Sequence, residues 1–438
     1  MVVRESSALA VDPPRCFTGI VKGTCGAPPI CDAAEHPDLT CEVRMRVLEI
    51  APPWFTVPPQ GYGGIEQVVA QLTDGLVDAG HEVTLLASGG STSKATVQSE
   101  FEVPPSADLG STCHELIHVV AGYHRRHEFD VIHDHSGFAG AAFGALLDGP
   151  PIVHTLHGPW TPQVATLHRS LGNGLHRVAI SADQRSGAPP GVSVDHVVHN
   201  GISLTEHPFR RQADADRHLA FVGRANVEKG PDVAVRAARA AGRHLKMAVK
   251  INEPAEQRYW DACVAPLLVG ADVEVVRNGT KQDAIDIMSG AEATLFPIAW
   301  PEPFGLVMVE SMAVGTPVIA YAAGASIEII DSGRTGILVP PGHFGAFVAA
   351  VESSGTLDRA TCRAHVVARF SSAAMVAGYE AVFTDVAAQL PSVRRVLHAS
   401  ERVPRRPIDR SRRPAVAPAV AGNALRRRVV DLHDGGRS

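Results

Sequence analysis

Pro301-Glu302-Pro303-Phe304-Gly305-Leu306-Val307-Met308-Val309-Glu310, running on through Ser311-Met312-Ala313-Val314-Gly315-Thr316-Pro317-Val318-Ile319-Ala320, decides the fold. Two prolines bracket Glu302 and hold its backbone extended, because a residue that precedes proline is pushed out of the α region. Glu302 is therefore expected on a loop. From Phe304 the apolar positions Leu306, Val307, Val309, Met312 and Ala313 recur at helical spacing, and Gly315-Thr316-Pro317 ends that helix before the apolar run Val318-Ile319-Ala320. The unit reads strand, loop, helix, strand. A helix opening at Phe304-Gly305-Leu306 aims free N–H groups and the positive end of its dipole at the loop, which favours a phosphate there. Glu310, two turns in, lies on the side that can face the loop. One carboxylate at the mouth and another further along suit a ligand with a phosphate in the middle and hydroxyls at both ends, as a nucleotide sugar has.

Glu302 and Glu310 are separated by seven residues, and the stretch resembles the Glu-x7-Glu motif of retaining glycosyltransferases of family 4, which have the GT-B fold. The resemblance implies two Rossmann-like, doubly wound α/β domains facing a cleft. It also implies that Glu302 contacts the donor sugar and that Glu310 holds the ribose hydroxyls, while Phe304, Gly305 and Leu306 are expected to meet the donor through the free N–H groups of the helix start. Taken alone, these residues also fit an ordinary β-α-β unit with two surface glutamates.

The 438 residues are enough for two or three domains, and 45% apolar with 20% charged residues describes a soluble globular chain. No apolar run approaches the ~20 residues of a membrane helix, and the first residues lack a signal-peptide pattern, so a cytoplasmic address is expected. The net charge of −6 hides an asymmetry. From Pro391 to Ser438 twelve arginines stand against four acidic residues, so the tail is about +8 and the remainder about −14. A body this acidic argues against nucleic-acid binding. The arginine-rich tail reads as disordered, with peripheral contact at the inner face of an anionic membrane as the alternative. Cys16, Cys25, Cys31 and Cys41 match no common zinc spacing, and Cys113, Cys263 and Cys362 are scattered, so all seven read as reduced thiols.

Residues 1–44 show neither helical nor strand periodicity and read as a disordered extension, with Met45 as a candidate native start. Met45 to Ala51 is a buried-type strand. A glycine-rich turn, Gln60-Gly61-Tyr62-Gly63-Gly64-Ile65-Glu66, follows, then a helix through Val68, Val69, Leu72, Leu76 and Val77, then the strand His81 to Ala87. This is the opening β-α-β of a doubly wound sheet. The glycine spacing is not Gly-x-Gly-x-x-Gly, which removes the main support for dinucleotide binding. The glycines still let backbone N–H groups approach an anion closely, and a plain tight turn is the alternative. The resemblance places this loop against the donor diphosphate and the acceptor, which points to Gly63 and Gly64, with Glu66 on the acceptor side.

Further strands end in Asp134-His135 and in His157-Gly158-Pro159, so polar residues gather at strand carboxyl ends, where open α/β sheets hold ligands. A metal site is the tempting alternative, but no helix supplies partnering ligands at a recognisable spacing, and no metal is expected. The resemblance puts His157 near the reacting centre and His135 on the acceptor side. His154 falls inside its strand and reads as core.

Residues 45–208 are read as the acceptor domain, and the polar stretch from Arg210 to Arg217 as a linker. Asp214 and Asp216 form an Asp-x-Asp, but in a charged segment with no preceding apolar strand, so they read as solvated. The donor domain, residues 209–370, opens with the strand Leu219 to Val222, followed by Gly223-Arg224-Ala225-Asn226-Val227-Glu228-Lys229-Gly230-Pro231. Arg224 and Lys229 bring two cations to one strand end, where they can offset charge growing on a leaving diphosphate. This resembles the family's Gly-Arg-x-x-x-Glu-Lys-Gly donor motif. Where family members carry Gly-x-Gly-Pro, this chain has Lys250-Ile251-Asn252-Glu253-Pro254. Arg277-Asn278-Gly279 ends the next strand, where the family's base-reading backbone lies, which points to Asn278. Residues 371–390 read as a helix returning to the first domain.

The sequence thus reads as a hexosyltransferase of the EC 2.4 class, using a nucleoside diphosphate sugar with retention and needing neither metal nor cofactor. The acceptor hydroxyl stays open, a lipid-linked one included. A nucleotide-sugar epimerase of the same fold and a catalytically silent binding protein are the rivals. Pro-Glu-Pro-Phe-Gly speaks against the first, and the presence of Glu302, Arg224 and Lys229 against the second.

Overall fold

The computed structural model describes residues 44–61 and 63–389, and the statements below concern these. The readings made for residues 1–43 and for the tail from Leu390 lie outside the described residues.

The first sheet contains β1 (Arg46–Ile50), β2 (Glu82–Leu86), β3 (Thr96–Gln98), β4 (Val131–Asp134), β5 (Ile152–Leu156), β6 (His176–Ala179) and β7 (His196–Val197). They lie in the order β3-β2-β1-β4-β5-β6-β7, and each pairs with its neighbours in parallel. The second contains β8 (Leu219–Arg224), β9 (Leu245–Lys250), β10 (Val273–Arg277), β11 (Ala293–Phe296), β12 (Val318–Tyr321) and β13 (Gly336–Val339). Their order is β10-β9-β8-β11-β12-β13, again parallel. Parallel strands need helical crossovers, which cover both faces, so the central strands are apolar runs, whereas β9 (Leu245–Lys250), nearer the edge, alternates buried and part-buried residues. Val47, Leu48 and Ile50 in β1 are all buried, as is the whole of β5, β11 and β12. Strand order reverses between β1 and β4 in one sheet and between β8 and β11 in the other. At such switch points the loops leave in opposite directions and open a crevice at the carboxyl ends.

The helix Ser372–Ala388 lies on the helix Gly64–Asp78 of the first half. Met375, Val376, Tyr379, Val382 and Phe383 join Val47, Val68, Leu72 and Leu76 in one core. Gly75 lets the two helices approach, since a Cβ there would lie 2.5 Å from Val376 Cγ2. The two halves also share a core in which Ile180 and Ile202 meet Phe304, Met308 and Phe370. Beside it the Glu328 carboxylate accepts the backbone N–H of Ala182 (3.0 Å) and Asp183 (3.1 Å) and faces His199 Nε2 at 2.9 Å.

One helix start moves. The helix read from Phe304 spans Leu306–Ala313, because Gly305 at φ 84°, ψ 70° is left-handed and cannot be part of it. Phe304 is a core residue, its ring centroid 6.0 Å from that of Phe370 and 6.0 Å from that of His199. Any donor contact at Phe304 must therefore come from its backbone. No helix among the described residues is long and apolar enough to cross a membrane.

Candidate active site

The β8/β11 switch point brings Lys229 and Glu302 together. After β8 the chain makes a tight turn in which Lys229 N–H donates to Asn226 Oδ1 at 3.0 Å, and left-handed Gly230 (φ 66°) leads into the helix Pro231–Ala240. After β11 the proline-bracketed loop carries Glu302 to the same place. Lys229 Nζ donates to both carboxylate oxygens, at 2.8 and 2.7 Å, with the lysine side chain 25% and the glutamate 13% exposed. The Glu302 loop is braced from behind. Ala325 N–H donates to Glu302 O at 3.0 Å, and Gly324, left-handed at φ 58°, presses so close that a Cβ would lie 2.4 Å from Glu302 N. Glu310, half-buried, follows on the helix that begins at Leu306.

Arg224, the last residue of β8, is held by two glutamates that the sequence reading did not single out. Its Nη2 donates to Glu253 Oε1 at 2.6 Å and its Nε to Glu256 Oε1. Glu253 is the N-cap and Glu256 the third residue of the helix Pro254–Tyr259, where they form a reciprocal capping box. Desolvation pushes the Glu256 carboxyl up, but the Asn252 N–H and the Arg224 guanidinium outweigh it and hold the group below its ordinary value. So the segment that replaces Gly-x-Gly-Pro is a helix start whose acids grip Arg224. Lys250, the register partner of Arg224 on β9, reaches toward the first half, its Nζ 3.4 Å from where a Cβ on Gly61 would sit. Asn278 does not offer its amide to a ligand. At φ 50° its Oδ1 accepts Ile251 N–H (2.8 Å) and its Nδ2 donates to Ile251 O (3.1 Å), which fixes the loop after β9.

The glycine-rich turn faces this crevice from the first half. Gly63 (φ 156°) has no room for a side chain, since a Cβ would lie 2.7 Å from Pro59 Cβ and 2.9 Å from Glu66 Oε2. Gly64 lies against the start of the Leu306–Ala313 helix, its would-be Cβ 3.5 Å from Leu306 Cδ1. The residues singled out as Gly64 and Leu306 thus meet. Glu66, in the first turn of its helix, is buried, and desolvation pushes its carboxyl up to about 7 against the pull of its own backbone N–H.

Behind the turn stands a buried polar cluster. Glu49 in β1 lies 3.0 Å (Oε1) from His133 Nδ1 and 3.1 Å (Oε2) from His135 Nε2, and His135 Nδ1 is 2.9 Å from His157 Nε2. His133 Nε2 is 2.8 Å from Thr155 Oγ1, which is 2.9 Å from the Tyr379 hydroxyl on the returning helix. His157, first after β5, is half-buried, whereas His135 is 1% exposed. This corrects the acceptor-side reading of His135. It sits behind His157 and reaches the cleft only through it. His154 is buried inside β5.

Two sets of side chains among the described residues bring ligand-type atoms within 4.8 Å of one another: Glu49 with His133 and His135, and Asp214 with Asp216 and His218. The first is internally hydrogen-bonded. In the second, Asp216 is taken by Lys246 Nζ and His218 Nδ1, both at 2.9 Å, and Asp214 by Arg210 at 2.5 Å. Glu49 escaped the sequence reading, although a carboxylate inside the apolar strand Val47-Leu48-Glu49-Ile50 was a visible signal.

Two parallel doubly wound sheets with a charged crevice at their facing carboxyl ends define the GT-B class. Family models agree: residues 62–206 match "Glycosyltransferase Family 4" and residues 205–357 match "Glycosyl transferases group 1". The chain belongs to the group 1 glycosyltransferases and is a nucleotide-sugar glycosyltransferase. It is 26% identical over 349 residues to the D-inositol 3-phosphate glycosyltransferase of Pseudarthrobacter chlorophenolicus, covering 66% of this chain and 81% of the relative. It is 25% identical over 375 residues to a glycogen synthase of Mycobacterium tuberculosis, covering 70% and 86%. Among solved structures, AviGT4, a glycosyltransferase involved in avilamycin A biosynthesis, superposes with a TM-score of 0.61 at 23% identity over 79% of this chain and 99% of that one. Anabaena HepE in complex with UDP and glucose gives 0.60 at 19% over 78% and 100%.

Proposed function

We propose that the chain transfers a hexosyl group from a nucleoside diphosphate sugar to a hydroxyl, with retention at the anomeric carbon and with no metal or other cofactor. The observation that carries this reading is the Lys229–Glu302 pair at the β8/β11 switch point, 2.7–2.8 Å between charged atoms. When donor enters, Lys229 and Arg224 exchange their carboxylate partners for phosphate oxygens, and Glu302 is released to the sugar hydroxyls. The bond between C1 and the β-phosphate oxygen breaks, and the diphosphate leaves with the electron pair. The acceptor oxygen bonds to C1 on the same face, and its proton passes to the departing phosphate oxygen. Two fixed cations and the helix start at Leu306 offset the charge that grows on the leaving group, which is the task a divalent ion would otherwise perform. Glu310 takes the ribose hydroxyls and His157 stands on the sugar and acceptor side.

A thermal-shift panel of UDP-, GDP- and ADP-sugars, followed by hydrolysis of the best binder with and without EDTA, tests the reading. One donor class should raise the midpoint, and its hydrolysis should proceed in EDTA and first release the sugar with the donor's own anomeric configuration. Inverted product, or activity that EDTA abolishes and manganese restores, would overturn it.

A further inference from the structure

The cluster behind His157 dictates where its protons sit. Glu49 is fully buried, and although desolvation pushes its carboxyl up, His133 and His135 more than offset this and hold it at about 2. An ionised carboxylate only accepts. Both facing nitrogens, His133 Nδ1 and His135 Nε2, must therefore carry hydrogen. Burial holds His135 neutral, down to about 4, so its Nδ1 is a lone pair and must accept. The group 2.9 Å from that Nδ1 is His157 Nε2, which accordingly donates. Burial and the neighbouring histidines also keep His157 neutral, well below its ordinary value. With Nε2 spent inward, Nδ1 is the one ring atom left to hydrogen-bond a ligand, and it is an acceptor.

We propose that Glu49 is a positioning residue for His157: through His135 it fixes the Nε2–H tautomer, so that His157 Nδ1 is an obligate acceptor for a hydroxyl of the sugar or acceptor substrate entering the cleft. This rests on the reading above that His157 stands beside the substrate.

The other branch of the cluster says what a substitution at Glu49 does. Burial pushes the Tyr379 hydroxyl well above its ordinary value, so it stays a phenol; with a neutral His133, Tyr379 donates to Thr155 (2.9 Å), Thr155 to His133 Nε2 (2.8 Å), and His133 Nδ1 to Glu49 Oε1 (3.0 Å). Glu49→Gln supplies one acceptor and one donor where two acceptors stood. Turning the amide NH2 toward His133 would reverse that branch and strand the buried Tyr379 hydrogen without an acceptor. Turning it toward His135 reverses the other branch, which ends on His157, a residue with part of its surface open, and strands nothing. The second arrangement wins, and His157 becomes an Nδ1–H donor facing the substrate.

Two-bond 1H–15N correlation spectra of 15N-histidine-labelled full-length protein, assigned with His135→Asn and His157→Asn, read these tautomers without substrate. In the wild type, His135 and His157 should both be Nε2–H and should not titrate between pH 5.5 and 8. In Glu49→Gln, His157 should be Nδ1–H, with kcat/KM for the best donor reduced at least ~10-fold and an intact fold. A wild-type His157 that is Nδ1–H, or that titrates near 6.5, overturns the relay whatever the enzyme transfers, and does so even where Glu49→Gln fails to fold. Bound metal in stoichiometric amount, lost in His133→Asn, overturns it too. The stated tautomers with unchanged turnover in both Glu49→Gln and His157→Ala overturn the placement of His157 beside the substrate instead, so the two failures are told apart.

Discussion

Lys229 Nζ lies 2.8 and 2.7 Å from the two carboxylate oxygens of Glu302, joining the loop after β8 to the loop after β11 across the switch point of the second sheet. The two groups proposed to bind opposite parts of one ligand also pair with each other. The arrangement keeps the partly buried carboxylate paired and leaves the lysine preorganised for a phosphate.

Glu302→Gln keeps shape and removes charge. The expected outcome is donor turnover reduced by ~100-fold or more, since a group aimed at developing charge typically supplies roughly 3–4 kcal/mol. The same variant should cost only about 1 kcal/mol of stability, as a partly exposed pair does. Steady-state donor hydrolysis and thermal unfolding on one preparation check both. Turnover within a few-fold of wild type would remove Glu302 from the chemistry.

Gly324→Ala places a methyl group 2.4 Å from Glu302 N, at a backbone φ of 58° that alanine adopts only with strain. A loss of about 1–3 kcal/mol is expected from the backbone, with a fall in turnover as the Glu302 loop moves. Chemical denaturation measures the first and kcat the second. An unchanged kcat would mean that Glu302 tolerates displacement and that its position matters little.

Arg224→Ala should reduce turnover ~100-fold. Glu256→Gln should act on the same cation less strongly, because Glu253 still holds it at 2.6 Å. A double-mutant cycle of Arg224→Ala with Glu256→Gln, read in kcat/KM, should be strongly non-additive. Additive losses would mean that Glu256 serves only the capping box.

Acid should destabilise the protein early. Burial holds neutral His118, His135 and His168 at about 4 and His154 at about 3, below the ordinary 6.5. Each becomes protonated on unfolding, so its contribution is complete above pH 6.5 and is lost as pH falls through the folded value, at up to about 1.4 kcal/mol per pH unit. Glu49, at about 2 against 4.5, adds a loss of the same sign below pH 4.5. Glu66, at about 7 against 4.5, opposes them between pH 4.5 and 7 as a single group. The thermal midpoint should therefore fall steadily from pH 7 to pH 5. A midpoint that rises over that interval would contradict the buried-histidine account.

The sequence carried the fold because its signals were local. Glycine and proline punctuation, apolar runs of strand length and the reversal of periodicity at Gly315-Thr316-Pro317 fix β-α-β units one at a time. It carried Lys229 and Glu302 as separate candidates, on motifs 73 residues apart. What it could not carry was contact. The partners of Arg224 came from a capping box on another helix, and the cluster on Glu49 joins β1, β4, β5 and the helix Ser372–Ala388, whose shared register exists only once the sheet has formed. The same limit hid the packing of Phe304 and the Asn278–Ile251 hydrogen bonds, which occupy both side chains and leave any donor contact at these two positions to the backbone.

Donor hydrolysis by wild type and Lys229→Ala tests the central claim most directly, run side by side over UDP-, GDP- and ADP-sugars with folding verified by thermal unfolding. The account predicts that wild type turns over one donor class and that Lys229→Ala, folded and binding-competent for the nucleoside, loses ~100-fold or more in kcat. Equal turnover by the two proteins on that donor would contradict it.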